Sequence, residues 1–271
     1  MTATAATRAV DGPTLRDVVG DVAFLVGAPR RFLMETRCGR WVTGWPTTVG
    51  LCGTRWGGSA TPPPTSISWA FGSADERDAV VRMVNRAHRP VRSAPGAEVG
   101  YTAFDPDLQL WVAGCMYYGG RDMWQRMAGP LDADSADRLY RGFQAYGTSL
   151  QVPAELWPAD SRACDAYVER ILDGIVIDER VRDYGAALLD PAGHPFPARP
   201  VIRLMRFVTI GLLPDQLRAA YDFPWNPADQ RRFDLLMRVG ASVHRATPRR
   251  VRELPKDLLL RASRRAVAAH A

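Results

Sequence analysis

The sequence predicts an all-α fold, a single multi-helix domain of about ten helices. Three observations carry this. Apolar residues recur at three- and four-residue spacing in one segment after another, Pro or Gly punctuates the segment ends, and strand-like alternation is nearly absent. Residues 1–13 are Ala/Thr-rich with no apolar run, so they are expected to be a flexible tail rather than a secretory leader, ahead of a domain at 14–271. From Arg30 to Trp45, Phe32, Leu33, Val42 and Trp45 follow a helical period that Pro46 ends, because proline removes a backbone donor. The segment 46–68 has the composition of a loop: glycines, Ser and Thr, and the run Pro62-Pro63-Pro64. Ser73 and Glu76 have capping-box spacing, each side chain able to satisfy the other's free backbone N–H. They open a helix bearing Val80, Val81, Val84, His88 and Val91. Asp105 and Pro106 start the next, since the carboxylate caps free N–H groups and the ring's fixed φ suits the first turn. Its apolar positions are Leu108, Trp111, Val112, Cys115 and Met116. The same spacing runs from Asp134 to Leu150, Ser161 to Leu172, Asp178 to Leu189, Val201 to Leu212, Pro214 to Tyr221 and Pro227 to Arg245. From Asp257 to Ala269 an Arg-rich side faces away from a Leu/Ala side, the pattern of an amphipathic helix.

Composition narrows the function classes. With 46% hydrophobic and 24% charged residues in 271, the chain is globular in type. Its longest apolar stretches, around Gly174 to Ile177 and Phe207 to Leu213, fall far short of the roughly 18 residues a membrane span requires. The formal net charge is +6, yet of 35 basic residues only Lys256 is lysine, and the arginines are dispersed among Asp and Glu. Such dispersal lacks the concentrated footprint of a nucleic-acid binder, so no nucleic-acid partner is expected. The four cysteines, Cys38, Cys52, Cys115 and Cys164, form no CxxC pair, which argues against structural zinc and a disulfide framework and fits a reducing cytoplasm.

Of four histidines, His88 stands out. It follows Val81 by seven residues and Val84 by four, so it shares their apolar stripe and points inward, whereas His244 falls near the exposed end of a helix and His194 in a Gly/Pro loop. An inward imidazole is either a core group satisfied by a hydrogen bond or a ligand to a metal or cofactor. Arg82 and Arg86 precede it on neighbouring faces, able to meet ligand carboxylates or to be plain surface groups. Ala113, Gly114, Gly119 and Gly120 make one stretch of the following helix small, which admits either another helix or a flat cofactor.

Several motifs, in order, resemble a known family. The run Tyr101 to Val112, Gly129-Pro130-Leu131, Gly147 to Pro153, Arg203 through Thr209, Gly211-Leu212-Leu213-Pro214, Leu217-Arg218, and Tyr221 with Pro224-Trp225 are similar to segments of the MpaB and rubber-oxygenase (latex-clearing protein) family. The resemblance spans roughly Gly20 to Pro255. It implies an all-helical oxygenase binding haem b, with characterised members cleaving carbon-carbon double bonds. It implies that His88 is the proximal iron ligand, standing in the family's Arg-x-x-His with Asn85 in place of the Arg, which leaves a ligand-orienting role to Arg82 or Arg86. Two other family histidines are replaced: Cys38 stands at one and Ala113 at the other. Cys38 is then a pocket residue or a thiolate near iron. Glu35, at the family's usual Gln, is a candidate acid or base or else a surface carboxylate, and Thr209, in Thr-x-Gly, either donates a hydroxyl to a pocket ligand or back-bonds to its own helix, the structural role being favoured. The resulting expectation is a haem-dependent oxidoreductase acting on a small organic substrate with dioxygen. Alternatives are a family member performing dehydrogenation, rearrangement or cyclisation, and a non-catalytic partner protein.

Overall fold

The structure, a computed structural model, describes residues 12–36, 65–92 and 102–269. These form helices α1 (Leu15–Gly20), α2 (Val22–Val26), α3 (Ala28–Glu35), α4 (Thr65–Phe71), α5 (Ala74–His88), α6 (Pro106–Ala128), α7 (Ala133–Ser149), α8 (Ser161–Asp173), α9 (Glu179–Leu188), α10 (Arg199–Leu212), α11 (Asp215–Ala220), α12 (Pro227–Ala246), α13 (Arg249–Arg252) and α14 (Leu254–Ala269). No strand occurs among the described residues; the one β-bridge pairs Arg92 with Thr102. No helix among them is long and apolar enough to cross a membrane.

Helix α6 is the axis of the fold. Asp105 caps it, accepting from the N–H groups of Asp107 at 3.0 Å and Leu108 at 3.3 Å. It packs against α1, α2, α3, α7, α8 and α12, so it is apolar around most of its circumference, with Trp111, Cys115 and Tyr117 fully buried. Its glycines serve close helix approach. A Cβ at Gly119 would lie 2.6 Å from Cγ of Arg31, and one at Gly120 would lie 3.1 Å from the Phe143 ring and 3.2 Å from that of Phe24. Of the two readings the sequence left open for these glycines, helix packing is the one observed. The α5 capping box forms as its residues predict, Ser73 Oγ accepting from Glu76 N–H at 3.2 Å and Glu76 Oε2 from Ser73 N–H at 2.8 Å.

Two sequence expectations are corrected, at the start of α4 and at His244. The chain is already helical from Leu15, where a second capping box, Thr14 with Asp17, opens α1 ahead of the first helix read from spacing. The expected loop 46–68 lies outside the described residues as far as 64, and its end, 65–68, belongs to α4, whose Ser and Thr content suggested a loop but whose Ile67 and Ala70 are buried against the core; tertiary burial overrides weak local propensity. The helix expected from Arg30 to Trp45 is helical to Glu35, and its remainder, with Cys38, lies outside the described residues, as do the first eleven residues of the expected tail.

His244 is the second correction. It is buried, 7% exposed, and its Nε2 lies 3.0 Å from both carboxylate oxygens of Asp21, which is 3% exposed and caps α2. Arg252 donates to the same carboxylate at 2.6 Å. One buried acid thus ties the C-terminal helices to the N-terminal ones. Removing it strands a guanidinium and an imidazole in a desolvated site, which costs about 3–5 kcal/mol for a broken buried pair. Asp21→Ala should lower the unfolding free energy by about that much in denaturant titrations; a loss under about 0.5 kcal/mol would show the cluster to be energetically idle.

Candidate functional site

The C-terminal turn of α3 leaves carbonyls without intrahelical partners, as every helix end does. Here distant side chains take them. The Trp111 indole N–H donates to Met34 O at 3.0 Å, and the Tyr221 hydroxyl donates to Leu33 O at 2.9 Å while lying 2.9 Å from the Thr36 hydroxyl. Leu33, Met34, Trp111 and Tyr221 are all essentially buried. The helix end is therefore pinned from two sides, and the next residue, Glu35, is delivered to a cavity wall.

That cavity lies among the ends of α3, α5, α6, α7 and α9. It measures about 170 Å³ inside and about 940 Å³ counted out to its open mouth. Its walls are Phe32, Val84, Ala103, Val112, Ala113, Met116, Tyr146, Gly147, Leu150 and Val152, with Glu35, Thr36, His88, Gln109 and Tyr184 as polar exceptions. Ala113 and Gly147 keep one wall thin: a Cβ at Gly147 would stand 3.1 Å from that of Ala113 and 2.4 Å from the Trp157 ring.

The polar exceptions divide by how they are satisfied. Gln109 donates to Ala103 O at 3.1 Å. His88 is half-buried at the end of α5, and neither ring nitrogen has a hydrogen-bond partner among the described residues. Burial lowers its pKa below the usual imidazole value, so it is neutral at pH 7, with a lone pair to offer. Glu35 is enclosed by protein yet keeps surface facing the cavity. Burial pushes its carboxyl up to about 7, against a downward pull from the buried Arg31 guanidinium on the preceding turn. Arg31 itself is held by Phe24 O at 2.8 Å and lies over the Phe24 ring.

The structure therefore brings together His88, Glu35 and Ala113 of the residues singled out in the sequence. Others lie elsewhere. Arg82 and Arg86 are exposed on α5 and Asn85 is half-buried there; none lines the cavity. Thr209 is buried within α10, away from the cavity walls. Tyr184 was missed. It follows Val181 by three residues and precedes Leu188 by four, so the buried stripe of α9 was the signal that could have found it. Its hydroxyl is buried without a partner, and burial raises its pKa to about 12. Among the described residues no group of three or more His, Cys, Asp or Glu side chains could hold a bare metal ion. Cys115 and Cys164 are buried.

A family model described as "ER-bound oxygenase mpaB/B'/Rubber oxygenase, catalytic domain" matches residues 16–241. Two relatives, an uncharacterized protein of Mycobacterium bovis and one of Mycobacterium tuberculosis, are each 40% identical over 181 residues, covering 66% of this chain and 71% of the relative. No solved structure matches the chain.

The raised Glu35 pKa has a signed consequence. Below about pH 4.5 the carboxyl is neutral in both folded and unfolded chains and costs nothing; between about 4.5 and 7 the unfolded chain ionises first, so stability falls as pH rises, levelling off above about 7. The full effect is roughly 3 kcal/mol. Glu35→Gln should flatten this part of the pH profile in denaturant titrations; parallel profiles for the two proteins would place the carboxyl in a watery setting instead.

Proposed function

The chain belongs to the mpaB/rubber-oxygenase family, and from that premise we propose that it is a haem b-dependent oxidoreductase of the oxygenase type acting on a small, largely apolar organic molecule. The observation that carries this reading is His88: a neutral imidazole without a hydrogen-bond partner among the described residues, at the wall of an apolar cavity. A bare metal ion needs several protein ligands, whereas a porphyrin supplies its own in-plane nitrogens and asks the protein for an axial donor. The donor set at this site fits that request, and His88 would hold the iron. Haem, when bound, supplies the activation of dioxygen, the second substrate this reading requires.

The chain's own residues do the rest. Phe32, Val84, Val112, Met116 and Leu150 exclude water and give an apolar substrate its binding surface. Glu35, with a pKa near 7, can hold a proton at its carboxyl oxygen or accept one from a bound molecule at neutral pH, the poise that suits a general acid or base. The pins on Leu33 O and Met34 O fix the position from which it acts. In this reading Ala113 borders the bound group, Cys38 contributes to the substrate side and the setting is cytoplasmic, whereas Arg82, Asn85, Arg86 and Thr209, which lie off the cavity walls, take no part.

His88→Ala tests the assignment. The wild-type protein, expressed with haem precursor, should carry a Soret band that His88→Ala loses or shifts strongly, with the far-ultraviolet circular dichroism of both proteins alike. An unaltered haem spectrum in the variant would mean that some other group holds the iron.

A further inference from the structure

Helix α12 buries Phe233, Ala241 and His244 on its inner side. Its outer side carries three large apolar residues that stay more than half exposed: Leu235 at 57%, Val239 at 53% and Val243 at 60%. Spaced by four, they lie within roughly 80° of arc at about 100° per residue, so they form one stripe rather than scattered apolar points. Arg231, Arg238 and Arg245 run beside it at seven-residue spacing, all exposed, and a heptad drifts only about 20° around a helix. None of the three has an ion-pair partner among the described residues, although Arg245 also donates to Met127 O at 3.4 Å. Arg232 is exposed at the start of the same face, 3.5 Å from Asp229. Asp234, the remaining exposed acid, lies on the flank and accepts from Gln230. The following chain continues in kind, with Val251, Leu254 and Leu258 exposed in company with Arg250 and Arg261.

We propose that the outer face of α12 docks on an anionic lipid bilayer surface, Leu235, Val239 and Val243 entering the interface while Arg231, Arg238 and Arg245 meet the lipid phosphates. A row of apolar side chains bordered by unpaired arginines is complementary to a surface that is apolar within and negative at its edge. A second copy of this chain would bring like-charged arginine rows together, and a nucleic acid would leave the apolar row without a partner. The inference stands apart from the reading of the cavity, though a bilayer is also where an apolar substrate concentrates.

Vesicle co-sedimentation of the full chain decides it. The protein should sediment with vesicles of phosphatidylcholine containing about one-third phosphatidylglycerol and bind pure phosphatidylcholine roughly tenfold more weakly, with high salt weakening the anionic binding. Replacing all three of Leu235, Val239 and Val243 by Ser should cut partitioning into anionic vesicles by roughly tenfold while leaving circular dichroism and melting temperature in place. Arg231→Gln with Arg238→Gln should reduce it without altering the fold. Absence of sedimentation, or equal partitioning of the triple-Ser variant and the wild type, would overturn the proposal. So would light scattering that finds a wild-type dimer which the triple-Ser variant dissolves, since the face would then belong to a second copy.

Discussion

Two hydrogen bonds at the end of α3 organise the rest of the molecule. Trp111 on the central helix α6 and Tyr221 beyond α11 both donate into buried carbonyls of the last turn of α3, where Leu33 O also accepts from the Thr36 hydroxyl at 3.2 Å. A buried carbonyl without a donor costs about 1–3 kcal/mol, so these two donors hold the turn where desolvation would otherwise open it. The tie joins residues 77 and 188 positions apart, and so couples the N-terminal helices to the centre and to the C-terminal half of the chain.

The site follows from that constraint. With Leu33 and Met34 fixed, Phe32, Glu35 and Thr36 have one place to go, the cavity between α3, α5, α6, α7 and α9. The close approach of α3 to α6 at Gly119 runs Arg31 beneath the same turn, where its charge tempers, without cancelling, the desolvation of Glu35. His88 arrives from the last turn of α5. The apolar cavity thus gathers an imidazole without a hydrogen-bond partner among the described residues and a carboxyl poised near neutrality, in a chain that belongs to an oxygenase family.

Much of this was legible in the sequence because it is local. Capping residues at Ser73 and Asp105, and the spacing that aligned His88 with Val81 and Val84, state their structural meaning within a turn or two. What was illegible is what depends on distant partners. His244 lies close to a helix end, and only the tertiary position of Asp21 makes it a buried group. The glycines of α6 admit a helix or a cofactor equally until Arg31, Phe24 and Phe143 are seen to fill the space. Residues 65–68 of α4 read as loop because Ser and Thr dominate them, while burial of Ile67 and Ala70 makes them helical. Tyr184 was overlooked since a tyrosine on a buried stripe looks like ordinary core until the cavity beside it is known.

The central claim is that the His88 imidazole holds iron. It is tested most directly by the resonance Raman spectrum of the ferrous, haem-loaded full chain grown with isotope-labelled histidine. With His88 on the iron, an iron–nitrogen stretching band shifts with the label and vanishes in His88→Ala. A ferrous spectrum with no histidine-sensitive iron band, or one carrying an iron–sulfur signature, would contradict it.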